Sequence, residues 1–103
     1  MTLTSKQRAF LKALANSFDA LFQVGKGGIT PALIKQVDDA LTARELIKLS
    51  SLETAPEPPK QIAAEIAEAV GAQIVQVIGR KMIFYRENRE KKDKIVLPKV
   101  KKS

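Results

Sequence analysis

The chain of 103 residues contains no Cys and no His. Their absence removes disulfides, the usual zinc sites, thiol nucleophiles and imidazole acid–base chemistry. It also fits a reducing compartment. Aromatics are scarce: Phe10, Phe18, Phe22, Phe84 and Tyr85 are the full set, and no strand holds the aromatic platform on which an RRM stacks bases. No apolar run approaches the roughly 20 residues that span a bilayer. Met1-Thr2-Leu3-Thr4-Ser5-Lys6-Gln7-Arg8 turns polar at once, without a signal-peptide apolar core. The expectation is a soluble cytoplasmic protein with neither a membrane nor a small-molecule substrate as partner. Paired carboxylates add no enzymatic signal. Asp38 and Asp39 are adjacent and diverge on a helix, and Glu65 and Glu68 fall on a polar helix face. With nothing to raise a pKa, no catalytic residue, metal or cofactor is expected.

Positive charge is what the chain has in excess. The net charge is +7, unevenly spread. Residues 1–85 hold ten Lys/Arg against eight Asp/Glu, and residues 86–103 hold eight against three. The expected division is one domain over residues 1–86 and a flexible basic tail over 87–103. Such a tail suits a polyanion, and its bland alternative is a solubilising end.

Helix signals recur along the chain. Thr4-Ser5-Lys6-Gln7 has the S/T-x-x-Q form of a capping box. Phe10, Leu11, Leu14 and Phe18 follow at helical spacing, and this stripe is expected to be core, with Arg8 and Lys12 pointing away. Leu21-Phe22-Gln23-Val24 reads as a short strand. Thr30-Pro31 caps and opens a second helix, buried through Leu33, Ile34, Val37, Ala40 and Leu41. Arg44 falls at its end, where a packed stem with the charge near the helix C-terminus is preferred over a ligand contact. Leu46-Ile47-Lys48-Leu49-Ser50 alternates as a half-buried strand does. After a proline loop, Pro59 opens a third helix with Ile62, Ile66 and Val70 on one line, stopped by Gly71. Gln73–Ile78 and Lys81–Tyr85 are strands joined at Gly79-Arg80, and Ile95-Val96-Leu97 is a short extra strand or an anchor. The order is αβαβαββ. An α/β alternation of this kind implies a two-layer α+β fold, a mixed four-stranded sheet with helices packed on it.

The segment with chemical character is Val24-Gly25-Lys26-Gly27-Gly28-Ile29-Thr30-Pro31. A glycine loop running into a helix start offers successive amide N–H groups to an anion, and Lys26 adds a point charge. It is not a nucleotide P-loop, because the four-residue spacer before a G-K-[ST] is missing, and it does not meet the dinucleotide G-x-G-x-x-G pattern. It does fit a G-x-x-G clamp of the kind KH-type domains lay against a nucleic-acid backbone. The amides of Lys26, Gly27, Gly28 and Ile29 are the expected donors. Arg8, Lys12, Arg80 and Lys81 would extend the positive surface, and Tyr85 is the aromatic considered for base contact.

In these motifs the chain resembles the CRM domain (chloroplast RNA splicing and ribosome maturation). The resemblance runs from Leu3-Thr4-Ser5-Lys6-Gln7-Arg8 through Val24-Gly25-Lys26-Gly27-Gly28-Ile29-Thr30 and Ala43-Arg44-Glu45-Leu46-Ile47-Lys48 to Val75-Gln76-Val77-Ile78-Gly79-Arg80 and Tyr85-Arg86. It is closest in length to the stand-alone bacterial form. It implies a fold similar to the C-terminal domain of translation initiation factor three, and RNA binding with Gly25, Lys26, Gly27 and Gly28 as principal contact. Arg8, Lys12, Arg80, Lys81 and Arg86 are the candidate supporting residues. It further implies action on precursor rRNA of the large ribosomal subunit, and a monomer is expected. The competing readings are a protein-interaction module docking an acidic partner through the tail, and a general nucleic-acid binder.

Overall fold

The structure is a computed structural model, and it describes residues 3–88, 90 and 95–97. Seven elements follow the expected order: α1 (Ser5–Ala15), β1 (Phe22–Val24), α2 (Pro31–Arg44), β2 (Leu46–Ser51), α3 (Pro59–Val70), β3 (Gln73–Ile78) and β4 (Lys81–Tyr85). The helix starts were legible because their caps form. Thr4 Oγ1 accepts the Gln7 N–H at 3.1 Å while Gln7 Oε1 accepts the Thr4 N–H at 3.1 Å. Thr30 Oγ1 accepts the Leu33 N–H at 3.1 Å, with Pro31 at the first helical position. Gly71 ends α3 in the left-handed conformation that a side chain would disfavour.

The sheet order is β1-β2-β4-β3. β1 lies parallel to β2, β2 antiparallel to β4, and β4 antiparallel to β3. The sheet is therefore mixed, as expected. Its layering is richer than two. On one face, α2 and α3 bury Leu33, Val37, Leu41, Ile62 and Ile66 against Val24, Ile47, Leu49, Met82 and Phe84. On the other, α1 packs Leu11 and Ala15 against Leu46, Val75, Ile83 and Tyr85. The strand period of two sends alternate residues of β4 into the two cores.

Three expectations change here. β2 is buried on both faces rather than one, since α1 covers the side that Lys48 suggested was wet. The buried line of α1 is Leu11–Ala15, one turn apart, with Phe10 flanking it, whereas Leu14 and Phe18 stand exposed. The helix stops at Ala15, so Phe18 no longer obeys helical phase. Tyr85 is 1 % exposed in the α1-side core and has no access to a base.

Residues 95–97 form an anchor, not a strand: Ile95 and Leu97 pack on the α1-side core. They are tied down by Glu45, a fully buried carboxylate at the C-terminal cap of α2 with φ 64°. Its Oε2 accepts the Asn88 N–H and its Oε1 the Ile95 N–H, both at 2.7 Å. The rest of the basic tail (residues 89, 91–94 and 98–103) lies outside the described residues.

Candidate nucleic-acid interface

Topology gathers three loops at one end of the sheet. β1 and β2 both finish there, and β4 begins there. The loop Gly25–Gly28 follows β1, residues 52–58 follow β2, and the Gly79-Arg80 turn leads into β4. Backbone bonds stitch them together. The Val24 carbonyl accepts the Leu52 N–H and the Arg80 carbonyl accepts the Ser51 N–H, both at 2.8 Å.

Within the glycine loop, the Gly25 carbonyl accepts the Gly28 N–H at 2.9 Å, closing a turn with Lys26 and Gly27 at its tip. Only Gly28 needs to be glycine for the backbone: its φ is 66°, and an added Cβ would lie 3.0 Å from Pro56 Cγ. At Gly27 an added Cβ meets nothing within 4 Å. The Gly28 amide is thus spent on the turn, while those of Lys26, Gly27 and Ile29 have no backbone partner among the described residues. Lys26 is exposed and forms no ion pair among them.

The proline loop forms the second wall. Between it and the glycines lies a cleft of about 420 Å³ lined by Gly27, Gly28, Ile29, Pro56, Glu57 and Glu65. Two carboxylates make that cleft a poor seat for phosphate. The anion-friendly side of the loop is its outer tip, where Lys26 stands.

The other candidate cations separate into two groups. Arg80 and Lys81 lie beside the loop. Arg80 pairs with Glu53 at 3.4 Å, with both side chains largely exposed, a contact worth at most about 1 kcal/mol and easily exchanged. Lys48, which sequence reasoning passed over, shares a sheet face with Lys81. It pairs with Ile83, and Ser50 pairs with Lys81, so the two lysines are diagonal neighbours on the α1 side. The signal was present in the alternation that sets Lys48 opposite in direction to Ile47 and Leu49. Lys12 is half-buried on the helix that covers this face.

Arg8 and Arg86 are not brought to the loop. Arg8 Nη1 donates to the carbonyls of Ile74 and Val75, the latter at 3.1 Å. The ladder shifts register there, between Ile74 and Gln76. A bulge leaves a residue outside the ladder, and the guanidinium supplies the missing donors. Arg86 follows the opposite end of β4. It donates to Asp38 Oδ1 at 2.5 Å, the Val70 carbonyl at 2.8 Å, the Asp38 carbonyl at 2.9 Å and Thr42 Oγ1 at 2.8 Å. It buttons α2 to the last residue of α3. Arg44 is exposed and stands in the last turn of α2, near the helix C-terminus.

Comparison with known proteins bears on this arrangement. The CRS1 / YhbY (CRM) domain family profile matches residues 3–86. The chain belongs to the CRM family. Probable RNA-binding protein YqeI of Bacillus subtilis is 43% identical over 96 residues, covering 93% of this chain and 99% of the relative. A Haemophilus influenzae protein named RNA-binding protein is 34% identical over 98 residues, covering 95% and 97%. Among solved structures, the solution structure of the Staphylococcus aureus protein SAV1595 superposes with a TM-score of 0.78 at 45% identity, covering 94% of this chain and all of that one. The CRM domain thus accounts for the α+β fold. Among the described residues no helix is long and apolar enough to cross a membrane.

Proposed function

We propose that this CRM protein binds RNA, without catalysis, through the outer tip of the Gly25–Gly28 loop, and that its target is precursor rRNA of the large ribosomal subunit during assembly in the cytoplasm. The observation that carries the reading is the loop itself: three amides without a backbone partner and a lysine without an ion pair among the described residues, at an exposed turn, in a family whose relatives here are named for RNA binding. Gly25–Gly28, Arg80 and Lys81 form the proposed contact, with Lys12 on the flanking helix. Arg8 and Arg86 support the fold that presents it.

The decisive variant is Gly27→Asp. Gly27 has open space around it and no positive φ, so the fold tolerates a side chain there. A carboxylate at the tip would repel phosphate, and RNA affinity should fall at least ten-fold with unfolding unchanged. Unaltered affinity in a folded variant removes the loop from the interface. Salt supplies an independent check. Contact with about five phosphates of single-stranded RNA gives a log K against log salt slope near −3.5, from about −0.7 per phosphate. Crosslinking in cells assigns the target. Recovery of large-subunit precursors supports the assembly role, a spread over other RNAs keeps only general binding, and background recovery favours a protein partner.

A further inference from the structure

A second cavity lies away from the glycine loop, at the start of β2. It measures about 310 Å³ and is lined by Phe18, Asp19, Leu21, Arg44, Leu46 and Lys48, among others. Phe18 and Leu21 are exposed, at 39% and 36%, although both are large and apolar. Neither Arg44 nor Lys48 has an ion-pair partner among the described residues. The sheet explains why a hollow exists. β1 begins at Phe22 opposite Leu49, so the first residues of β2 have no strand along that edge. The Arg86 N–H to Glu45 carbonyl and Ser51 N–H to Arg80 carbonyl bonds turn the peptide groups of odd-numbered residues toward β4. Those of Leu46 and Lys48 therefore face the open edge, where the Lys48 carbonyl takes the Leu21 N–H at 2.8 Å.

We propose that this cavity receives one unstacked nucleotide of the RNA held by the glycine loop. The base would lie against Phe18 and Leu21, and its phosphate would meet Arg44 and Lys48. Asp19 offers an acceptor to an exocyclic amino group or a ribose hydroxyl. Charge and continuity select this occupant. Two unpaired cations against one carboxylate suit an anionic ligand, and one aromatic wall suits a flat ring. Lys48 and its diagonal neighbour Lys81 continue the positive row from the cavity to the loop end of the sheet. β1 separates the two sites by about 13 Å, from roughly 3.3 Å per residue between Leu21 and Gly25. A few nucleotides of single strand bridge that gap. An amphipathic helix or peptide would require an extended groove, which a hollow this compact does not provide.

The inference rests on RNA binding by the loop, and the test separates the two. Full-length protein is titrated with a single-stranded RNA oligonucleotide carrying 2-aminopurine and with a blunt RNA duplex. Phe18→Ala should weaken the single-stranded probe about ten-fold, abolish the change in 2-aminopurine fluorescence, and leave duplex affinity unchanged. Phe18→Tyr should retain binding, and Arg44→Gln should make the salt slope shallower by about 0.7. Wild-type single-strand affinity in folded Phe18→Ala overturns the nucleotide site while the loop reading stands. Failure of the wild-type chain to bind either RNA overturns both. Loss of an RNase-resistant association with pre-ribosomal particles, with RNA affinity intact, makes the cavity a protein site and also overturns the proposal.

Discussion

Among the described residues Glu45 is the one besides glycine with a positive φ, and its side chain explains why the fold retains it there. A non-glycine residue in this region costs about 1–2 kcal/mol. Against that stand two hydrogen bonds to a carboxylate, each about 1.5–3 kcal/mol. Asn88 and Ile95 are only half-buried, so their released amides would regain water, and the low end applies. Glu45→Ala should therefore cost about 3 kcal/mol, keeping the strain and losing both bonds. Glu45→Gly loses the same bonds but relieves the backbone, and should be about 1 kcal/mol more stable than the alanine variant. Glu45→Gln keeps one acceptor and turns an NH2 toward an amide donor, so it should lie nearer alanine than wild type. In a domain of this size each kcal/mol moves the thermal midpoint by roughly 4–8 °C. Thermal unfolding reads the order wild type, Gly, Ala. Amide exchange at Asn88 and Ile95 reads the release of the anchor directly. Alanine and wild-type proteins with equal midpoints, or protection at both amides surviving in the alanine variant, would refute the account.

Gly28→Ala should destabilise by about 2 kcal/mol through positive φ and the approach to Pro56, measured by urea unfolding, whereas Gly27→Ala should leave the midpoint in place. The Tyr85 hydroxyl is pushed up to about 12 from 10.0 by burial first and by the nearby Glu45 and Glu87 carboxylates second. Below about pH 10 both states hold the proton; above it the unfolded chain releases it first, so this group's contribution to stability falls between about pH 10 and 12, by up to about 3 kcal/mol. The chain has one Tyr and no Trp, so tyrosinate absorbance follows this group alone, and a midpoint near 10 would contradict its burial. Arg86→Lys keeps the charge but cannot span two carbonyls and a carboxylate. Stability should drop by about 2 kcal/mol with the RNA salt slope unchanged.

The elements were legible because their signals are local. Thr4 with Gln7, Thr30 with Pro31, and Gly71 each satisfy a helix end within a few residues. The strand pairs carry β-branched runs and a glycine-led turn. Long-range features were not legible in the same way. The apolar stripe of α1 included four residues of similar hydropathy, and the choice of Leu11 and Ala15 depends on how closely the helix can approach Ile83 and Tyr85. The Ser50 position of β2 looks solvated in the alternation but is buried in the fold. Nothing in Ala43-Arg44-Glu45-Leu46 marks a positive-φ residue, since its compensation comes from amides 43 and 50 positions away. The glycine loop was found by its composition, but which of its amides remain unpartnered depends on the turn it closes on itself.

The arginines show why net charge alone misjudges an interface. Arg8 and Arg86 sit near the ends of the sheet domain in sequence and carry the same formal charge as Lys26. Their guanidinium groups, however, are spent on backbone carbonyls exposed by a bulge and by the end of α3. A planar fork with several fixed donors suits that task, because it can satisfy two oxygens at once. Among the described residues, the cations without an ion-pair partner include Lys12, Lys26, Lys48 and Lys81 on the α1 side and the loop end, and Arg44 at the end of α2. A lysine meets a phosphate as a mobile point charge and loses little by remaining solvated between encounters. Side-chain geometry explains why it is Arg8 and Arg86 that fix the frame, while Lys26 stands exposed at the loop tip. Arg80 stands between the groups, held by one exposed and exchangeable contact to Glu53. On the proposed RNA-binding reading, the phosphates neutralised by residues 1–85 number fewer than their ten Lys/Arg, because Arg8 is committed to backbone carbonyls and Lys35 to Asp39.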